Sequence, residues 1–445
     1  MSTTSDTPFW VLDHGDRTAL ITAAGEAVSY DTLAARADAL AADLPEGPGF
    51  GFLLISPDVD SIALYLGALR AGRQVPLLLN ADIGDDALAA LSAHYRPNWI
   101  RGRDVGSALD GSADIHDNLA LLLATSGSTG SPKLVRLSAN AIASNAASIA
   151  HYLGLTPDDR AITTMPLAYS FGMSILNSHL AVGASLVLSD LSMLQPDFWT
   201  LAKTSGVTSL SGVPSSFDML RRAKLETRGL DRLRMLTQAG GKLPDRLVSH
   251  FADLCAGEGW DMHVMYGQTE AAPRISHVPP DRLKDKVGSV GIAVPGGDIS
   301  IADDTGELVY RGPNVMMGYA ESREDLARGD DMGGILHTGD LARLDEDGFA
   351  YITGRLKRFI KLSGTRTNLD AVEAWAASRY GAPVAAGGED EKLALWLTAK
   401  VGADDAAVKA DLRAAFDIFP GMVRLARIDA LPLTANGKTD YAALG

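Results

Sequence analysis

The sequence predicts an α/β fold: a large N-terminal domain of parallel-rich sheets covered by helices plus a small β-barrel-like subdomain, and a small mobile α+β C-terminal domain. Three observations carry this expectation. Short apolar runs alternate with amphipathic stretches over the first two-thirds of the chain, and Gly and Pro become frequent after Pro273. A basic stretch around residues 355–357 then marks a second change of texture.

The runs at 50–55, 75–79, 119–124, 161–165, 185–188, 235–239 and 262–266 are too continuously apolar to have a wet face, so they read as buried strands. Between them, residues 30–44, 62–71, 139–153, 197–204, 215–224 and 244–254 carry apolar side chains at helical spacing. Strands that alternate with helices imply parallel sheets covered on both faces. After Pro273, residues 298–301, 307–310 and 349–352 read as short antiparallel strands joined by turns, within a subdomain of about 287–356. The rest mixes strands (359–362, 393–401) with helices (369–378, 404–415). The expected division is therefore 1–356 and 357–445.

A chain of 445 residues is too long for one simple core, and its 46% apolar and 21% charged residues are those of a globular protein. The net charge of −15 argues against a nucleic-acid partner, which requires a basic patch to displace counterions, and against an anionic membrane. A single cysteine, Cys255, allows no intrachain disulfide and no cysteine metal cluster, and it reads as a small core residue. Residues 1–8 are polar, with no basic-then-apolar leader pattern, and no apolar run approaches the ~20 residues of a membrane span. A cytoplasmic protein is expected; its oligomeric state is left open.

The richest segment runs from Leu121 to Lys133. An apolar strand opens into Thr125, Ser126, Gly127, Ser128, Thr129 and Gly130, closed by Pro132 and Lys133. The glycines let successive N–H groups turn inward around an anion, the hydroxyls add donors and the lysine adds a point charge. Such a loop suits a polyphosphate. A Walker A loop would end in Gly-Lys-Ser/Thr, whereas this one ends in Pro132-Lys133-Leu134.

Downstream, Tyr266-Gly267-Gln268-Thr269-Glu270 leaves a predicted strand with an aromatic ring that can stack on a base. Its hydroxyl can reach a phosphate oxygen and its carboxylate can ligate magnesium. His337-Thr338-Gly339-Asp340, the basic run from Gly354 to Gly364, and Leu431 to Lys438 with its Asn436-Gly437 turn follow in order. Together with the loop, these segments resemble the motifs of the adenylate-forming superfamily of acyl- and aryl-CoA synthetases, nonribosomal-peptide adenylation domains and luciferase. The resemblance spans essentially the whole chain, including Ala71-Gly72 and Pro76-Leu77 near its start. The chain departs in being short for the family and in having Leu134 where a glycine usually follows the lysine.

The resemblance implies an ATP-dependent acid–thiol ligase that forms an acyl-adenylate and passes the acyl group to CoA or a carrier-protein phosphopantetheine. ATP and Mg²⁺ would be its cofactors and a small carboxylic acid its substrate. It implies catalytic roles for Lys438, Thr269 and Glu270, with Glu270 on magnesium. Nucleotide contacts would come from Thr125–Gly130, Lys133, Gly240, Gly241, Tyr266–Thr269, Asp340 and Arg355, the last two on the ribose. Lys357 would be the hinge, and Lys361 and Gly364 would face the thiol channel. The acyl pocket would draw on Tyr169, Ser170, Phe171, Ser211, Gly212, Ala239, Gly240 and Met265. Amino-acid-activating members carry an Asp in the counterpart of 168–172, where this chain has Tyr169, Ser170 and Phe171. Transfer to an amine or hydroxyl, activation of an amino acid, and a non-catalytic nucleotide-binding role are the alternatives.

Overall fold

A computed structural model describes residues 7–103, 114–124, 133–356, 358–363, 365–434 and 439–444. The chain forms two compact units, Met1–Ile299 with Tyr310–Leu336, and Ser300–Val309 with His337–Gly445.

The first unit holds a six-stranded and a nine-stranded sheet. In the smaller one, Gly49–Ile55 lies parallel to Gln74–Asn80 and Trp99–Arg101, and Leu119–Ala124 is parallel to Gln74–Asn80. Every residue of Gly49–Ile55 is buried. Leu53 and Ile55 enter one core while Phe50, Phe52 and Leu54 enter another, so the period-two alternation of a strand delivers apolar groups to both faces. The helices Tyr30–Ala42 and Val59–Ala71 cover the first of these faces, bringing Leu33, Ile62, Tyr65 and Leu66 into the same cluster.

In the larger sheet, Asp261–Gly267, Met235–Gln238, Ser209–Gly212, Arg160–Ile162 and Ser185–Val187 are successive parallel neighbours. One buried carboxylate gathers the leading ends of three of them. Asp159, just before Arg160, takes both Nε and Nη2 of Arg234 (2.6 and 2.7 Å) and the Thr208 hydroxyl (2.9 Å). Its Oδ2 also accepts from the Thr156 N–H at 2.8 Å. Burial opposes the charge, but these donors together hold Asp159 down at a pKa of about 2.

The sheets are mixed rather than uniformly parallel. Leu134–Ser138 returns antiparallel to Leu119–Ala124, and Arg274–Val278 returns antiparallel to Asp261–Gly267. The run expected at 161–165 keeps strand geometry only to Ile162. Two helices escaped the periodicity, Asp85–Tyr95 and Ser170–Leu180. Every residue of the second is buried, including Ser170, Ser174, Asn177 and Ser178, so its polar residues recur at helical spacing but face the interior instead of water.

In the second unit, Ile335–Leu344 and Ala350–Arg355 form an antiparallel pair in a four-stranded sheet. A three-stranded sheet of Val384–Glu389, Lys392–Thr398 and Val423–Ile428 shares one core with the helices Leu369–Tyr380 and Asp405–Phe416. Val372, Leu393, Leu395, Val408 and Leu412 form its centre. Cys255 is buried on the helix Asp245–Glu258, and burial pushes its thiol up to about 12, which leaves it an inert packing group. No helix among the described residues is long and apolar enough to cross a membrane.

The Asp159 cluster has a pH signature. A carboxyl group whose folded pKa lies below its unfolded value stabilises above the unfolded pKa, and that contribution fades as pH falls through the folded one. Asp159→Asn should therefore be markedly less stable than the parent at pH 6. The gap should narrow as pH drops from about 4 towards 2. Urea unfolding of both proteins across that range checks it.

Candidate functional site

Asp159 ties the leading ends of the parallel strands; the candidate residues gather at their trailing ends, where open α/β sheets bind ligands. The strand Ser209–Gly212 carries Ser211 and Gly212, Met235–Gln238 leads into Ala239, Gly240 and Gly241, and Asp261–Gly267 brings Met265, Tyr266 and Gly267. Gln268 follows in extended conformation, and Thr269–Ala271 forms a single 3₁₀ turn. Gly267 is required here, because a Cβ would lie 1.8 Å from the Pro273 carbonyl oxygen.

A buried amide locks this turn. Asn314 Nδ2 donates to the carbonyls of Ala271 (2.6 Å) and Arg274 (2.8 Å), while its Oδ1 accepts from the Tyr310 hydroxyl (2.7 Å). The Met316 N–H adds a bond to the Glu270 carbonyl at 2.9 Å. The turn is thus held from a segment more than forty residues downstream, as the separation of Ala271 and Asn314 shows.

Two polar contacts define the chemistry of the turn. The Thr269 hydroxyl lies 3.2 Å from that of Ser170, the first residue of the helix Ser170–Leu180. Glu270 Oε1 accepts from the Tyr319 hydroxyl at 2.7 Å. Burial, reinforced by the Glu270 carboxylate, pushes the Tyr319 phenol well above its ordinary pKa, so it stays a neutral donor. Tyr319 lies on the strand Gly318–Ala320, opposite Val135, and Lys133 stands over its ring at 5.9 Å. Lys133 also pairs with Glu321 at 2.5 Å. A cation at the exit of the Gly/Ser/Thr segment and a carboxylate on the turn are therefore joined through one tyrosine. That segment leads from strand to antiparallel strand, whereas a Walker A loop opens a helix.

Glu270 suits magnesium of the kind bound by one carboxylate and completed by substrate phosphates. Its hydrogen bond from Tyr319 orients the carboxylate, as ligating carboxylates usually require.

The expected acyl-pocket residues divide into two groups. Phe171, Ser211 and Met265 line a narrow cavity together with Ser174, Ser178, His179, Ser209, Thr237 and Arg274. Ser211 and Thr237 share a hydrogen bond of 2.7 Å within it, and the Tyr152 hydroxyl reaches Met265 Sδ at 2.9 Å. Tyr169, Ser170, Gly212, Ala239 and Gly240 lie outside that lining. Tyr169 instead packs against Gly240 (φ +81°), where a Cβ would meet the phenol oxygen at 2.8 Å. Gly241 is fixed through its carbonyl, which accepts from Gln238 Nε2 at 2.8 Å.

In the second unit, adjacent strands set Asp340 opposite Arg355, and Arg355 Nε donates to Asp340 Oδ1 at 3.1 Å. Glu307 braces the approach, accepting from the Gly339 N–H at 2.7 Å and meeting His337 Nδ1 at 2.9 Å. The exposed Lys361 lies on the strand Phe359–Leu362, its N–H donating to Asp390. Thr125–Gly130, Lys357, Gly364 and Lys438 lie outside the described residues. Sequence reasoning missed Tyr319, Glu321, Asn314 and Arg274. Only Arg274 carried any signal, as a charge at the head of the strand Arg274–Val278.

Residues 109–320 match the family model described as AMP-binding enzyme. The chain is 34% identical over 253 residues to the 2-succinylbenzoate–CoA ligase of Bacillus cytotoxicus, covering 55% of this chain and 51% of that protein. A putative acyl-CoA synthetase of Bacillus subtilis, YngI, is 30% identical over 350 residues, 72% of this chain and 62% of that one. The chain spans about half the length of the curated relatives it matches first. Among solved structures, the o-succinylbenzoate CoA synthetase MenE of Bacillus subtilis, in complex with the acyl-adenylate OSB-AMP, superposes with a TM-score of 0.78. It is 22% identical and 97% of each chain is covered, a likeness of fold.

Removing the lock on the turn tests its importance. Asn314→Ala removes the donor to the Ala271 carbonyl and the acceptor of the Tyr310 hydroxyl, leaving the Arg274 carbonyl only a longer bond from Asn145, and should cost about 2–4 kcal/mol, whereas Tyr310→Phe should cost about 1 kcal/mol. Denaturant unfolding of the two variants reads the difference.

Proposed function

We propose that this chain is an AMP-binding enzyme that uses ATP to activate a small carboxylic acid as its acyl-adenylate and passes the acyl group to a thiol. The observation that carries the reading is the turn at Thr269–Glu270. Its hydroxyl, its carboxylate and the neighbouring Lys133 are the donor, metal ligand and cation that an attack between two anions requires. Relatives named as CoA ligases support the same chemistry.

In the first half-reaction a carboxylate oxygen of the acid attacks the α-phosphorus of ATP and pyrophosphate leaves. Lys133 and the 125–130 segment bind the phosphates, Thr269 donates to a phosphate oxygen, and Tyr266 stacks on the base. Glu270 would hold magnesium, which when bound neutralises phosphate charge. Asp340 and Arg355 take the ribose, and Lys438 bridges the acid and the α-phosphate. In the second half-reaction the thiol sulfur, having lost its proton, attacks the acyl carbon and AMP leaves. CoA and a carrier-protein phosphopantetheine present the same thiol. Residues 1–356 act as the adenylation core and 357–445 as a lid hinged at Lys357, with Lys361 and Gly364 lining the thiol's approach.

Lys438→Ala should lower acid-dependent pyrophosphate exchange by about a hundredfold or more while largely sparing thioester formation from supplied acyl-adenylate. Equal loss in both half-reactions would refute the division of labour. A pyrophosphate-release screen over an acid panel, repeated with CoA, a carrier protein and an amine, tests the whole reading. Acyl transfer to the amine alone would replace the thiol with a nitrogen acceptor.

A further inference from the structure

We infer that the acid this site activates carries a second, anionic end group that is bound by Arg274, making the substrate a short dicarboxylic acid. The inference rests on the acid-activating reading and deepens it.

Arg274 is 3% exposed and has no ion pair with any described residue. Its hydrogen bonds are to neutral hydroxyls, a long one of 3.5 Å from Nη2 to Ser174 and one to Tyr152, and its guanidinium lies 4.4 Å over the Phe171 ring. Its Nε is buried without a hydrogen-bond partner. Other buried arginines of the same unit are treated differently. Arg136 also leaves Nε unmet, but it pairs with Asp331 at 2.5 Å and donates to the Met317 carbonyl. Arg323 donates to Asn98 Oδ1 at 2.9 Å and to the Arg96 carbonyl. Arg274 alone among these three lines the cavity.

Burying a charge without a counter-charge is among the most expensive arrangements in a protein. The surroundings supply phenols, not carboxylates: Tyr152 and Tyr169 are the ionisable groups that act on it, and burial pulls its pKa down. Other atoms of the cavity share the deficit. Ser209 Oγ has no hydrogen-bond partner, and His179 sends Nδ1–H to the Ile175 carbonyl (2.8 Å), leaving Nε2 buried and unmet. Burial lowers His179 to about 4, so it adds no second cation. Water can serve these hydrogen bonds, but only an anion supplies the missing charge.

The helix Ser170–Leu180 sets the scale. Ser170 touches Thr269, and Ser174, which meets Arg274, lies one turn further on. That is about 6 Å along the axis, which suits a diacid of roughly three to five carbons held at both ends. The free volume of the cavity is about 10 Å³, room for about one water. The acid must therefore displace its walls, and Met235 and Met265 are side chains that yield readily.

The test measures pyrophosphate release with malonate, succinate and glutarate against propanoate, butanoate and pentanoate of equal length, and against the monomethyl ester of the best diacid. The best diacid should exceed both its monoacid and its monoester in kcat/KM by at least about tenfold. Arg274→Met should lower the diacid-to-monoacid ratio by about a hundredfold and Arg274→Lys by less, because the charge survives without the planar fork. The wild-type comparison stands even if a variant fails to fold. Monoacids or the monoester used as well as the diacids overturn this inference and leave acid activation standing. Release with no acid, and no binding of ATP by calorimetry, overturns both.

Discussion

The site depends on the ends of five parallel strands being held in register, and the tightest device for this is ionic. Asp159 is almost wholly buried, yet it accepts two bonds from Arg234 and one each from the Thr208 hydroxyl and the Thr156 backbone. Those residues precede or begin the strands Arg160–Ile162, Ser209–Gly212 and Met235–Gln238. A slip of one residue would turn every side chain of a strand to the opposite face. With the leading ends pinned, Gly212, Gly240 and Gly267 emerge together at the trailing ends, and loops can be placed there without loss of order.

The site itself is built from returns rather than from the parallel core. Leu134–Ser138 and Arg274–Val278 both run back antiparallel, and each carries or follows a charged residue that matters: Lys133 precedes the first and Arg274 begins the second. The strand Gly318–Ala320 then pairs with Leu134–Ser138 and inserts Tyr319 between Lys133 and Glu270. Rigid elements therefore hold the polar groups, with Asn314 fixing the one turn among them. Buried charge follows the same economy. Arg136 and Arg323 are used to join segments and are met by protein groups, whereas Arg274 faces a cavity and is left to a ligand.

Much of this was legible from composition and spacing. The continuous apolar runs at 50–55 and 119–124 are strands with both faces in cores, and the helices of 30–44 and 62–71 lie over them with slightly different limits. The Thr269–Glu270 turn and the Lys133 segment were named from local cues, because their residues are neighbours along the chain. Such cues failed where burial is complete. Ser170–Leu180 is buried all round, so its serines and Asn177 face the interior and not water.

The sequence by itself determined the order of motifs, the class of fold and the residue types able to handle a polyphosphate, because these are properties of neighbours along the chain. Tertiary structure alone decided which distant groups meet. Ser170 and Thr269 are separated by 99 residues, and Tyr319 and Glu270 by 49. It also decided that Arg274 is enclosed without a carboxylate. Whether a charge is solvated, paired or stranded depends on what folds around it, and no spacing along the chain records that.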